Sequence, residues 1–159
     1  MGGVGGISAS PELAGGNLVD VIEIRIPPKL KHQQVARSAI GVIAGGISFN
    51  YDEIIQLRVA MSEAFEIMLR RVQRADSGSS PSEVTILFNI DTDSIEVLIP
   101  PWPRIAGYAA TEEDDESRAL LESLMDEIHL NGDAEGEPVI RMLKHKEAQG
   151  DLGSGNTQT

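Results

Sequence analysis

The chain has 159 residues, 41% of them hydrophobic, with no cysteine and a formal net charge of -12. That length suits one domain with its own core and is short for two. No apolar run approaches the ~18 to 20 residues that cross a bilayer, and the lack of thiols excludes a disulfide framework or a thiolate metal site and fits a reducing cytoplasm.

The first 16 residues, MGGVGGISASPELAGG, have neither the basic start nor the apolar centre of a signal peptide, and Gly6 stands where a myristoylation signal requires Ser or Thr. No export or lipid anchor is expected, and the Gly/Ser/Ala composition predicts a mobile tail. Val19 to Ile26 broadly alternates aliphatic with charged residues, the pattern of a strand with one wet face, ended by Pro27 and Pro28. From Lys29 to about Ile47 the spacing of Leu30, Val35, Ala39, Val42 and Ile43 predicts an amphipathic helix that Gly45 and Gly46 terminate.

After a short loop comes the strongest periodicity in the chain, Asp52 to Arg74. Ile54, Leu57, Met61, Ala64, Phe65, Met68 and Val72 fall on one helical side, and Ile55, Val59 and Ile67 add a second apolar flank. Asp52 and Glu53 at its start and Arg70, Arg71 and Arg74 at its end suit the helix dipole.

Asp76 to Ser80 reads as a turn, and SEVTILFNI and SIEVLI around Asp91 to Asp93 read as an antiparallel hairpin closed by Pro100, Pro101 and Pro103. Trp102 to Thr111 has no period and is expected to be loop. The acidic run Glu112 to Glu116 suits the N-terminal end of a helix over Arg118 to Ile128, and His129 to Leu130 with Pro138 to Leu143 predicts a closing hairpin around NGDAEG. The order strand, helix, helix, strand, strand, helix, strand, strand predicts an α/β (α+β) two-layer sandwich with the helices on one face of a largely antiparallel sheet. The expected organisation is a tail over 1–16, one domain over 17–146 and a polar tail over 147–159.

The words FNYDEIIQLRVAMSEA and LLESLMDEIHL, with SEAFEI inside the long helix, resemble the anti-sigma factor serine kinases, a bacterial branch of the GHKL (Bergerat-fold, histidine-kinase-like) ATPase family. The resemblance runs from about Asp20 to His145. It implies a Glu-x-x-x-Asn pair in which Glu63 is the base or water-orienting carboxylate. The metal-holding Asn position is taken by Ile67, which cannot coordinate a hard cation. It further implies an adenine-reading Asp at or near Pro101, and a glycine-rich phosphate lid about where Asp115 and Ser117 stand in EEDDESR. These carboxylates would repel a triphosphate. The resemblance also implies a partner-contacting arginine at Arg37 of the first helix.

Each of these residues has a plainer reading. Glu63 alone suits a solvated carboxylate or one paired with Arg58 or Arg70, Arg37 a solvated helix arginine, and Trp102 either a partner anchor or a packed aromatic. His32, His129 and His145 have no metal-ligand spacing, and there is no P-loop, nucleophile elbow or dinucleotide fingerprint.

Residues 1–80 carry 8 acidic and 8 basic side chains, whereas residues 81–159 carry 17 and 5. That acidic half disfavours nucleic acid and anionic membrane and favours a basic partner, or simply keeps the chain soluble. The expectation is therefore a cytoplasmic anti-sigma regulator, acting in partner switching and the transcriptional stress response, that holds a sigma factor and meets an anti-anti-sigma antagonist, with homodimerisation left open. No cofactor is expected. The alternative is a divergent serine/threonine kinase acting on the antagonist, and only that alternative requires ATP and Mg²⁺.

Overall fold

The computed structural model describes residues 20–74, 80–101, 111–130 and 139–148. The glycine-rich N-terminal tail, the DSGSS turn up to residue 79, the segment 102–110 with Trp102, the NGDAEG turn and the chain beyond Ala148 lie outside the described residues.

Strand β1, Asp20–Ile26, is followed by a 3-10 turn, Leu30–His32, and helix α1, Gln33–Gly46. Helix α2 spans Tyr51–Arg74, strands β2 and β3 span Val84–Ile90 and Ser94–Ile99, and helix α3 spans Glu112–Leu124. Strands β4, Glu127–Leu130, and β5, Ile140–His145, close the fold.

The five strands form one sheet in the order β1-β2-β3-β5-β4, and every neighbouring pair is antiparallel. Register decides which residues face the helices. Phe88 opposes Val97 and Val97 opposes Met142, so Ile86, Phe88, Ile95, Val97, Ile99, Ile140 and Met142 share one face, and all are fully buried. Against them α2 sets Leu57, Met61, Ala64, Phe65 and Met68, and α1 sets Ala36, Ile40 and Ala44. The expected two-layer α+β sandwich is the fold observed.

The long helix is expected from Asp52 to Arg74 and is found within one residue of that. Its start is fixed by a reciprocal cap: Glu53 N donates to Asn50 Oδ1 at 2.8 Å, and Asn50 N donates to Glu53 Oε1 at 2.9 Å. Four expectations are corrected. Helix α1 begins at Gln33, after the 3-10 turn, and not at Lys29; it ends at Gly46 as expected, and the left-handed residue just past that end is Ser48, φ 67°, with Phe49 N returning to Ala44 O at 3.1 Å. The sheet face of β1 is covered only near Ile26, because β1 is an edge strand and Val21 and Ile22 stay exposed on opposite sides.

The third correction is to the last helix, which begins at Glu112, six residues before Arg118, and stops at Leu124, so that Ile128 lies in β4. The acidic run is its first turns because Thr111 forms the N-terminal cap with Asp114. Its C-terminal end receives Lys144 Nζ on Leu124 O at 2.9 Å, a cation at the negative end of the dipole. Finally, the closing strands are longer at β4 and shifted at β5, which extends to His145. Beyond it Lys146 Nζ reaches Ile47 O at 3.0 Å, and Glu147 N donates to Glu53 Oε2 at 2.6 Å. Lys146 and Glu147 thereby strap the α1–α2 corner to the sheet. Among the described residues no helix is long and apolar enough to cross a membrane.

Candidate functional site

Residues Glu63, Ile67, Arg70 and Arg74 recur at four, three and four residue intervals, so they form one stripe along α2. Helix α3 lies antiparallel against that stripe, since Ser117 meets Glu63 while Asp114, nearly one turn earlier, meets Arg70. Ser117 Oγ donates to Glu63 Oε1 at 2.8 Å, and Arg70 Nη2 donates to Ser117 Oγ at 2.9 Å. The hydroxyl is held between an anion and a cation, and Ser117 is only 3% exposed. A buried hydroxyl is costly without partners, and this one both donates and accepts.

Asp114, 6% exposed, does two jobs with its two oxygens. Oδ2 accepts from Thr111 N at 2.8 Å and closes the helix cap, while Oδ1 accepts from Arg70 Nε at 3.3 Å. Arg74 Nη1 stands 3.8 Å from Oδ2, and Arg70 also lies 3.8 Å from the exposed Glu113. The cap and one of the polar α2–α3 contacts therefore share one carboxylate.

Ile67 sits between Glu63 and Arg70 on this stripe and is 1% exposed. The position that the family resemblance gives to a metal-holding Asn is thus an aliphatic side chain in the core beneath the α3 contact. Pro101 is exposed just past the end of β3 and supplies no carboxylate. Asp115 is exposed on α3, one residue from the buried Asp114, and Ser117, expected in a lid, belongs to the helix itself. Among the described residues, the positions that the resemblance gives to the nucleotide site do not fit Mg²⁺ and a triphosphate: Ile67 is apolar, Pro101 carries no carboxylate, and Asp114 and Asp115 put carboxylates at the phosphate end. Among the described residues no group of three His, Asp or Glu side chains could hold a metal ion.

Arg37 is half-buried on α1, between Gln33, which donates to Ser62 O at 3.0 Å, and Gly41, where an added Cβ would stand 3.2 Å from Arg58 Cδ. Arg37 therefore lies on the α1–α2 seam. Ser62 and Glu63 are ~100° apart around α2, so the structure puts Arg37 and Glu63 on opposite flanks of its exposed ridge. The sequence pattern pointed to Arg70 as a helix-end charge and a possible partner of Glu63, and gave no role to Thr111 or to Asp114 by itself. The Thr-x-x-Asp spacing ahead of the helix was the available signal.

A second polar cluster lies on the sheet face away from the helices. Glu96, 4% exposed, accepts from Arg141 Nε at 2.6 Å and from Asn89 Nδ2 at 2.9 Å, and Arg141 Nη1 reaches Glu127 at 3.2 Å. Burial opposes the charge on Arg141, but the Glu127 and Glu96 carboxylates outweigh it and raise the guanidinium above its ordinary value.

No protein-family model matches the chain. It is similar to several proteins named serine-protein kinase RsbW. That of Bacillus licheniformis is 25% identical over 131 residues, covering 72% of this chain and 80% of the relative. That of Oceanobacillus iheyensis is 28% identical over 128 residues, 70% of this chain and 79% of the relative. That of Bacillus subtilis is 31% identical over 83 residues, 52% of this chain and 50% of the relative.

Proposed function

We propose, from the premise that this chain is a relative of the RsbW serine-protein kinases and so of the anti-sigma branch of the GHKL family, that it is an anti-sigma factor or anti-sigma-like regulator. It sequesters a sigma factor by protein–protein binding, in the cytoplasm, and needs no nucleotide to do so. The observation that supports this reading is Ile67: an aliphatic side chain, 1% exposed, stands where the resemblance implies a metal-holding Asn. Binding is then a matter of surface. Arg37 on the α1–α2 seam supplies a cation, and the exposed Glu112, Glu113, Asp115 and Glu116 of α3 attract a basic partner. An anti-anti-sigma antagonist competes for the same surface and releases the sigma factor, and the protein acts alone or as a homodimer.

Co-purification from the native host tests this. A sigma factor is expected with the wild-type chain and less of it with Arg37→Glu, because a reversed charge leaves opposing groups unpaired. Absence of any sigma factor rejects the reading, and undiminished capture by Arg37→Glu rejects the assigned contact.

A second reading is favoured by one contact: a hydroxyl does lie 2.8 Å from Glu63, the geometry of a general base and its serine. In that reading the protein is a divergent serine/threonine kinase acting on the antagonist, and ATP and Mg²⁺ are its cofactors. Titration calorimetry with Mg-ATP separates the two, since a micromolar dissociation constant supports the kinase and overturns the nucleotide-independent regulator.

A further inference from the structure

Three features of the latch between α2 and α3 need a common explanation. Ser117 is buried although it is polar, its hydroxyl is aimed at the one carboxylate that the family resemblance makes catalytic, and its position along α2 is fixed from a second point by Asp114 on Arg70. Helix packing alone asks for none of this. An alanine at 117 would fill the space with no polar group to satisfy.

We infer that α3 is an internal occupant of Glu63: the Ser117 hydroxyl takes on that carboxylate the place that an acceptor hydroxyl of a substrate protein would take, and Asp114 with Arg70 locks it there. The inference rests on the serine-kinase ancestry invoked above, but not on which partner the protein holds. Glu63 keeps part of its surface, yet Oε1 accepts a hydrogen bond from Ser117 Oγ at 2.8 Å while Arg70 donates to that Oγ at 2.9 Å, so both the donor and an acceptor site of the hydroxyl are in use. Ile67 lies in the same stripe under the contact, and separating α3 from α2 would carry it from the core toward water. Closure is favoured twice, by the polar bridge and by the apolar side chain beneath it. A foreign serine takes the Oε1 site of Glu63 only by displacing Ser117 and with it α3, and the buried Asp114 resists that displacement because leaving Arg70 also loosens the Thr111 cap.

The test reads Glu63 directly in the full-length protein. A water-soluble carbodiimide with an amine nucleophile labels free carboxylates, and peptide mass spectrometry compares Glu63 with the exposed Glu66 on the same helix. In the wild type Glu63 is expected to label much more slowly than Glu66. Ser117→Ala and Asp114→Asn should each raise Glu63 labelling and α3 amide exchange by about five- to tenfold, the change in open population that follows loss of one buried hydrogen bond. Ser117→Thr, which keeps the hydroxyl, should keep the protection and controls for a folding defect. Wild-type labelling of Glu63 as fast as that of Glu66 overturns the inference, and so does a Ser117→Ala protein whose Glu63 is no more reactive than before. The readouts use neither nucleotide nor sigma factor. A protein that captures no sigma factor but protects Glu63 rejects the anti-sigma reading and supports the occupant, whereas one that captures sigma with Glu63 freely labelled does the reverse.

Discussion

Ending the chain at Lys146 should destabilise it, although the composition of the tail suggests that residues 147–159 are dispensable. Glu53 is 2% exposed, and its carboxylate accepts from two backbone amides, Asn50 N at 2.9 Å and Glu147 N at 2.6 Å. Hydrogen bonds to a charged group contribute about 1.5–3 kcal/mol, so removing the Glu147 amide should cost at least that, with repulsion from the new terminal carboxylate added. Glu53→Ala loses the same bond together with the helix cap, worth about 1 kcal/mol, for a total of about 2.5–4 kcal/mol. The two changes remove one shared interaction and should not add. In the Glu53→Ala background, truncation after Lys146 should cost under about 0.5 kcal/mol, and truncation after Ala148 should cost no more than that in either background. Urea unfolding at neutral pH followed by far-UV circular dichroism measures all six proteins. An equal cost of the Lys146 truncation with and without Glu53 would refute the strap, and so would a wild-type cost no larger than that of the Ala148 truncation.

Ser48→Gly should raise stability by about 0.5–1 kcal/mol in the same assay, because Ser48 holds a left-handed φ of 67° that glycine adopts without strain. Arg141→Ala should cost about 2–3 kcal/mol, below the ~3–5 of a fully buried pair because the Arg141 side chain is 33% exposed, and it leaves the Glu96 carboxylate with Asn89 alone of these two partners. Ile67→Asn should fail to confer micromolar Mg-ATP affinity by calorimetry and should lower stability by about 2–4 kcal/mol, since it buries an amide in an apolar site. If the acidic helix steers a basic sigma factor, neutralising Glu112, Asp115 and Glu116 while leaving Asp114 should flatten the salt dependence of the association rate by stopped flow and change dissociation little.

What the amino-acid sequence by itself determined is the part of this protein written in short-range periodicity. The α2 limits, the β2–β3 hairpin and the layered α+β class follow from where apolar residues recur, because a helix or strand must turn one side toward a core whatever lies opposite. That Ile67 puts an aliphatic side chain where the resemblance implies a metal-holding Asn was legible for the same reason: a side chain's chemistry does not depend on its neighbours. The acidic run was harder. Glu112 to Glu116 look alike in sequence, yet Asp114 alone among them is buried, because its partner Arg70 stands 44 residues earlier. Likewise, nothing local distinguishes Ser117 as the residue that meets Glu63 across 54 residues, or Glu147 as the amide that meets Glu53 across 94. Strand order and the turn after α1 belong to the same class. Gly45 and Gly46 mark where the helix stops, but the left-handed residue of the turn that follows is Ser48, because seating Phe49 in the core requires that conformation there. Tertiary packing decides these points because burying one carboxylate, hydroxyl or strained turn is favourable only when a partner from elsewhere in the chain is already in place to compensate it.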